Sequence, residues 1–108
     1  MLSSYRLMWM MVMFDLPVME KSERKEATDF RNHLQDLGFE MAQFSVYMRF
    51  CTGPAHAETL VKRITEGLPR GGKTEVLFFT DKQYERMLSF SGQQRAKPRK
   101  NPTQYDLF

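Results

Sequence analysis

Hydrophobic residues form an unbroken run near the start of the chain, from Leu7 to Phe14, and the run ends in Asp15-Leu16-Pro17. A run of this length and ending is typical of a β-strand that is buried on both faces. We therefore predict a first strand in the centre of a sheet. The run is too short to span a bilayer and is not followed by a small-residue cleavage site, which favours a cytoplasmic protein with no membrane partner.

Two later segments have apolar residues at helical spacing. The first extends from Glu20 to Gly38, and Gly38 suits a left-handed C-cap. The second follows the chain break at Thr52-Gly53-Pro54 and ends before Pro69. Their apolar stripes consist of Ala27, Phe30, Leu34 and Leu37 in the first helix, and Ala57, Leu60, Val61, Ile64 and Leu68 in the second.

Shorter apolar patterns predict the remaining strands. Residues 44–51 alternate, with one apolar face made of Phe44, Val46, Met48 and Phe50. A short strand is expected just before it, near residues 39–42. Residues 73–80 are rich in β-formers, and residues 84–90 are predicted to add a further short strand.

The order of these elements is β-α-β-β-α-β with an additional C-terminal strand. This order predicts an α+β fold, a ferredoxin-like sandwich in which both helices cover one face of an antiparallel sheet. Residues 1–90 would form this domain. The first strand is apolar on both sides, although only one side can meet the helices. We therefore expect a homodimer that forms through the second sheet face.

Basic charge is concentrated in residues 91–108. The formal net charge of the 108-residue chain is +3, and this segment accounts for all of it, with four basic residues against Asp106. A nucleic-acid surface on residues 1–90 would therefore need local clustering of cations. The segment is polar and contains prolines, which predicts a flexible basic tail.

Asp15 is the main candidate for chemistry. A carboxylate at a strand end also serves simply to end the strand and form a turn, and the local sequence leaves both interpretations open. One carboxylate is a poor magnesium site, but a two-fold axis would bring a second Asp15 near the first. The single cysteine, Cys51, excludes an intrachain disulfide and a cysteine-based zinc site within one chain.

Basic residues after Asp15 are candidates for contacts with a nucleic-acid backbone. They are Lys21, Arg24, Lys25, Arg31 and Arg49. Acidic residues are interleaved with them on the first helix, which is also typical of a solvated helix face with i,i+4 ion pairs.

Three segments together resemble a known family. They are Phe14-Asp15-Leu16 at the end of the first strand, Leu37-Gly38-Phe39 at the end of a helix that begins with basic residues, and Gln43-Phe44-Ser45-Val46-Tyr47. Over residues 7–90 the chain is similar to the small subunit of the CRISPR spacer-acquisition complex. The resemblance implies a ferredoxin-like homodimer whose late strand often crosses onto the partner.

The same resemblance implies two activities. One is an endonuclease that acts on RNA or double-stranded DNA with magnesium or manganese, for which Asp15 would be the catalytic and metal-binding residue. The other is a scaffold that holds a DNA duplex by its backbone and bridges integrase subunits. Two alternatives stay open, namely a toxin-like metal-dependent ribonuclease and a non-catalytic RNA-recognition module, although residues 45–51 lack the usual signature of the latter.

The last five residues of the sequence, Gln104 to Phe108, resemble the Gln-x-x-Leu-Phe peptides that dock in bacterial sliding clamps. The candidate docking residues are Gln104, Tyr105, Leu107 and Phe108. An aromatic anchor after a basic linker suits a hydrophobic groove on a partner protein. The CRISPR integrase subunit and a sliding clamp are both candidate partners, and an unengaged tail is the third interpretation.

Overall fold

The computed structural model describes residues 8–99, which form a four-stranded antiparallel sheet with two helices packed on one face. The strands are β1 (Met8–Asp15), β2 (Glu40–Gln43), β3 (Val46–Cys51) and β4 (Lys73–Thr80), and the helices are α1 (Lys21–Asp36) and α2 (Pro54–Glu66). The strand order is β2-β3-β1-β4, so that β1 is central. The predicted ferredoxin-like class is confirmed.

Local capping determines where α1 begins and ends. Glu20 has extended backbone angles, and its N–H donates to Oε1 of Glu23 at 2.9 Å. At the other end Gly38 has φ +86°, and the N–H of Phe39 donates to the carbonyl of Leu34 at 3.0 Å. The left-handed glycine predicted at the end of α1 is therefore confirmed at Gly38, directly after the C-cap Leu37. No helix within residues 8–99 is long and apolar enough to cross a membrane.

The helix-covered face of the sheet carries the larger core. Met10 and Val12 of β1 and Leu34 of α1 are fully buried there. From β3 this core receives Tyr47 and Cys51, which belong to the more polar set of the alternating strand. The apolar set of that strand lies on the other side of the sheet, because a strand directs successive side chains to opposite faces.

The other side of the sheet, here called the open face, is also apolar. Its apolar residues are Trp9, Met11 and Met13 of β1, Val46, Met48 and Phe50 of β3, and Leu77 and Phe79 of β4. A short helix, α3 (Asp81–Glu85), covers the end near Trp9. There the Tyr84 ring stacks on Trp9 with centroids 3.7 Å apart, and the indole N–H donates to Oδ1 of Asp81 at 3.0 Å. Met13 and Val46, at the other end of this face, lie outside that buried cluster and are partly exposed.

The additional strand begins later than the residues 84–90 predicted for it. Residues 84 and 85 belong to α3, because Thr80 and Gln83 form a capping box that starts a helix and Tyr84 is buried against Trp9. The chain then forms a small hairpin of β5 (Phe90–Ser91) and β6 (Gln94–Arg95). The hairpin lies partly within the segment that we assigned to the basic tail.

Candidate metal and nucleic-acid site

Asp15 is the last residue of β1 and is exposed to solvent. It pairs across the sheet with Lys73 of β4. The alternation of β1 places it on the same side as Met11 and Met13, which is the side of the open face. Within residues 8–99 its carboxylate has no hydrogen-bond or ion-pair partner, so it is available to a ligand.

Backbone contacts hold the end of β1 from both sides. The N–H of Phe14 donates to the carbonyl of Ser45 at 3.1 Å, and Ser45 itself has φ +66°. On the β4 side Gly72 has φ +78°, and a Cβ there would lie 2.5 Å from the carbonyl oxygen of Asp15. Only glycine fits this close approach without strain. Asp15 therefore stands on a well-supported strand end, which is a suitable base for a functional carboxylate.

One chain supplies a single carboxylate to this site. The described residues contain no group of three or more His, Cys, Asp or Glu side chains that could hold a metal ion. Magnesium nevertheless prefers oxygen ligands and is often bound by one or two carboxylates together with water and phosphate oxygens. Asp15 fits such a site if a second copy or a nucleic-acid phosphate supplies the remaining oxygens.

The basic residues at the start of α1 differ in whether their side chains already have hydrogen-bond or ion-pair partners. Lys21 is the first residue of the helix, is exposed, and has no ion-pair partner in the part of the chain that the structure describes. Arg24 instead donates from Nη1 to the carbonyls of Val18 and Met19, at 3.1 and 2.9 Å. Arg24 thus braces the loop that connects Asp15 to the helix, and Lys21 is the freer cation.

Two further residues of α1 have neighbours on the helix surface. Lys25 forms an i,i+4 ion pair with Asp29 at 2.8 Å, and this hydrogen bond and charge raise the pKa of Lys25. Arg31 donates to Oγ1 of Thr28 at 3.2 Å, and its guanidinium lies 5.9 Å from the ring centroid of Phe44. The interleaved acidic residues thus engage part of the predicted basic cluster, as one of the two interpretations of the sequence expects.

Arg49 lies apart from the other predicted residues. It pairs with Met10 in β1, five residues before Asp15, which is about 17 Å along a strand. Its Nη1 donates to the carbonyl of Leu37 at 2.7 Å and its Nε to that of Phe50 at 3.0 Å. Because Leu37 is the C-cap of α1, this guanidinium satisfies the end of the helix.

Comparison with known proteins identifies the family. Residues 8–87 match the family model described as CRISPR associated protein Cas2. This chain belongs to the Cas2 family. The resemblance that the sequence suggested is thereby confirmed, and the matched range contains Asp15 and all of β1 to β4.

Three curated Cas2 relatives are similar to this chain over nearly their whole length. A protein from Paracidovorax avenae is 59% identical over 108 residues, which is 100% of both chains. One from Flavobacterium psychrophilum is 45% identical over 107 residues, covering 99% of this chain and 93% of the relative. One from Parvibaculum lavamentivorans is 39% identical over 101 residues, covering 94% and 100%. Each of these relatives is named CRISPR-associated endoribonuclease Cas2.

The sequence analysis missed one residue of the Cas2 candidate site. Lys73 faces Asp15 across the β1–β4 pair, and its Nζ lies 3.8 Å from Oε1 of Glu75. The antiparallel pairing of the first and last sheet strands, which the ferredoxin-like order already implies, would have identified this position.

The predicted docking residues of the tail cannot be placed on the Cas2 fold. Gln104, Tyr105, Leu107 and Phe108 all lie outside the described residues. Their role stays a prediction.

Proposed function

We propose that this Cas2-family chain acts in the cytoplasm as a homodimer in CRISPR adaptation, where it binds double-stranded DNA by the backbone and bridges integrase subunits. We further propose that the dimer is a metal-dependent endonuclease centred on Asp15 from each copy, with RNA or double-stranded DNA as its substrate. One observation carries both proposals. The part of the open face next to Asp15 lies outside the buried cluster around Trp9 and is partly exposed, so a dimer through that face would direct both carboxylates toward the same interface.

The nuclease proposal assigns roles to residues at this end of the sheet. Asp15 of each copy would hold magnesium or manganese, which supplies an activated water and offsets negative charge on phosphate. Ser45 and Gly72 keep the strand end in position through the contacts described above. Lys73 and Lys21 would attract the phosphate backbone toward the carboxylates. The relatives' name, endoribonuclease, supports RNA as one substrate.

Replacement of one carboxylate oxygen by an amide nitrogen tests the role of Asp15. The substitution Asp15→Asn keeps the size of the side chain and removes its charge. We expect cleavage of RNA or duplex DNA in the presence of magnesium to fall by roughly a hundredfold or more, since removal of a metal ligand removes most of the metal-assisted rate. Dimer formation and DNA binding should persist. The matched control is Asp36→Asn, an exposed carboxylate at the far end of α1.

Two results would contradict the nuclease proposal. Cleavage by Asp15→Asn at the rate of the unaltered protein would remove Asp15 from the mechanism. Equal cleavage with and without a chelator would remove the metal. If cleavage is absent from the unaltered protein while DNA binding and integrase recovery persist, only the scaffold proposal stands.

The scaffold proposal is tested by the salt dependence of DNA binding. Backbone contacts predict that affinity falls steeply with salt and depends little on sequence. Lys21→Ala should weaken binding and reduce the salt slope by about one. Lys62→Ala, an exposed lysine on α2, is the matched control. Affinity that does not change with salt would overturn backbone binding.

A pull-down of the full-length chain from its host tests the bridging role. We expect an integrase subunit among the proteins identified by mass spectrometry, and its absence would count against the scaffold. A monomer that prefers single-stranded RNA would instead support the RNA-recognition alternative. A dimer that cleaves RNA but recovers no integrase would support the toxin-like ribonuclease.

A further inference from the structure

The turn between β2 and β3 presents an aromatic ring to solvent. Phe44, in this turn, is 81% exposed. A phenyl ring that stays this exposed contributes little to the free energy of unfolding, because folding does not remove it from water. The hydrophobic core therefore gives no reason for an aromatic side chain at this position, whereas a ligand that covers the ring would supply one.

The backbone on both sides of Phe44 is held in a defined shape. Before it, the pairing of β2 with β3 shifts register between Met41 and Gln43, as at a β-bulge. After it, Ser45 has φ +66°, and its carbonyl accepts the N–H of Phe14 at 3.1 Å. Bulges redirect side chains, and both bulges and left-handed residues other than glycine are common beside functional sites. The direction of the turn that carries Phe44 is therefore fixed.

A cation lies against one side of this ring. The guanidinium of Arg31 lies 5.9 Å from the ring centroid of Phe44, and its Nη2 donates to Oγ1 of Thr28 at 3.2 Å. No carboxylate within residues 8–99 forms an ion pair with Arg31. Because Arg31 belongs to α1, which packs on the helix-covered face, this contact places the ring toward that side of the sheet. A dimer through the open face therefore leaves the ring accessible.

The ring is also close to the candidate carboxylate. Asp15 follows Phe14 and Phe44 precedes Ser45, and the backbones of Phe14 and Ser45 are joined by the hydrogen bond described above. Chain geometry therefore limits the distance between the Cα atoms of Asp15 and Phe44 to about 15 Å. A nucleic-acid strand that reaches Asp15 can thus bring a nearby nucleotide to Phe44.

We propose that Phe44 and Arg31 form a stacking site for an unpaired nucleobase beside Asp15. The base lies on the ring of Phe44, and the guanidinium of Arg31 attracts the phosphate of the same nucleotide. Aromatic side chains bind the bases of single strands in this way, whereas bases inside a duplex are already covered by their neighbours. The site thus selects unpaired segments of the substrate. This role rests on the proposed binding of nucleic acid at Asp15.

Binding of a single strand, measured in the absence of cleavage, tests the stacking site. Oligoadenylate RNA is titrated against Asp15→Asn alone and against Asp15→Asn combined with Phe44→Leu or Phe44→Trp. Leucine keeps the apolar character and removes the ring, so affinity should fall about tenfold, and tryptophan should restore it. The control is Leu68→Ala in the same background, at an exposed apolar residue after α2, which should leave affinity unchanged.

Two comparisons separate stacking from contact with the phosphate backbone. A stacked base releases no counterions, so Phe44→Leu should leave the dependence of affinity on salt unchanged, whereas Lys21→Ala should reduce the slope by about one. The second comparison uses the same oligoadenylate paired with its complement. Phe44→Leu should not weaken binding of this duplex, because its bases already stack on one another.

Three outcomes would overturn the stacking site. The first is an affinity for the single strand that is absent or does not depend on the ring of Phe44. The second is an equal loss of affinity for single strand and duplex in Phe44→Leu. The third is loss of an integrase subunit from the pull-down with Phe44→Leu while RNA affinity persists, which would assign Phe44 to a protein contact. If the unaltered protein does not cleave but its affinity depends on the ring, the nuclease proposal fails and the stacking site stands.

Discussion

The two faces of the sheet are both apolar but differ in what covers them. On the helix-covered face, α1 and α2 bury Met10, Val12 and Leu34 completely. On the open face, α3 covers only the end near Trp9, and Leu77 in the middle of β4 is 48% exposed. Folding of one chain therefore buries the centre of the first face, although Phe78 on the edge strand β4 stays 44% exposed, and it buries only one end of the second.

This difference separates stability from assembly. A side chain that is buried within one chain contributes to the free energy of unfolding of that chain. An apolar side chain that stays exposed contributes little until a partner covers it. Asp15 is involved in both the fold and the proposed assembly, since it ends the central strand and lies on the side of the open face.

The sharpest contrast comes from the same substitution on each face. Leu34→Ala should lower the free energy of unfolding by about 3–5 kcal/mol, because it leaves a cavity in the buried core. Leu77→Ala should lower that of the monomer by less than about 1 kcal/mol. Urea denaturation at low protein concentration measures both. Equal losses would mean that the open face is as fully packed within one chain as the helix-covered face.

Assembly is tested by placing a charge on the open face. Leu77→Asp should weaken dimerisation by roughly thirtyfold or more, since it buries an unpaired carboxylate in the proposed interface. Sedimentation equilibrium measures the dissociation constant. Leu68→Asp, at an exposed leucine after α2, is the matched control and should leave it unchanged. Dimers of undiminished affinity in Leu77→Asp would exclude the open face as the interface.

Local patterns were sufficient to predict the helix-covered half of the fold. The stripe at Ala27, Phe30 and Leu34, together with Gly38 as a cap, places α1 almost correctly, because periodicity and capping act within one turn. The segment after β4 was harder. There Tyr84 packs on Trp9, a residue 75 positions earlier, and no local pattern shows that contact.

The candidate site was predictable only in part for the same reason. Asp15 could be identified from the strand that it ends. The position of Lys73 depends on strand pairing, and the bonds of Arg49 to the end of α1 depend on how β3 packs against that helix. Charge alone cannot distinguish a cation that awaits a phosphate from one that caps a helix.

A paired substitution separates these two kinds of cation. Arg49→Met keeps an unbranched apolar stem but removes the guanidinium and its hydrogen bonds to Leu37 and Phe50, so it should lower the free energy of unfolding by about 1–3 kcal/mol. Its DNA affinity should change little. Lys21→Met should weaken DNA binding and leave the free energy of unfolding nearly unchanged. Thermal unfolding and DNA titration of both variants measure the contrast. A loss of DNA affinity in a folded Arg49→Met variant would show that Arg49 contacts the nucleic acid after all.

The smallest expected effect tests whether water is excluded from the core under the helix-covered face. Cys51 is fully buried there, and burial raises the pKa of its thiol, partly opposed by the charge of Arg49. The unfolded chain loses the thiol proton above about pH 8.5, while the folded chain keeps it to higher pH, so unfolding becomes more favourable as pH rises through this window. Cys51→Ala removes this contribution. Its free energy of unfolding, measured in urea from pH 7 upward, should therefore fall less steeply with pH than that of the unaltered protein. Identical slopes would show that water reaches the thiol and that the helix-covered face is less completely closed than its packing implies.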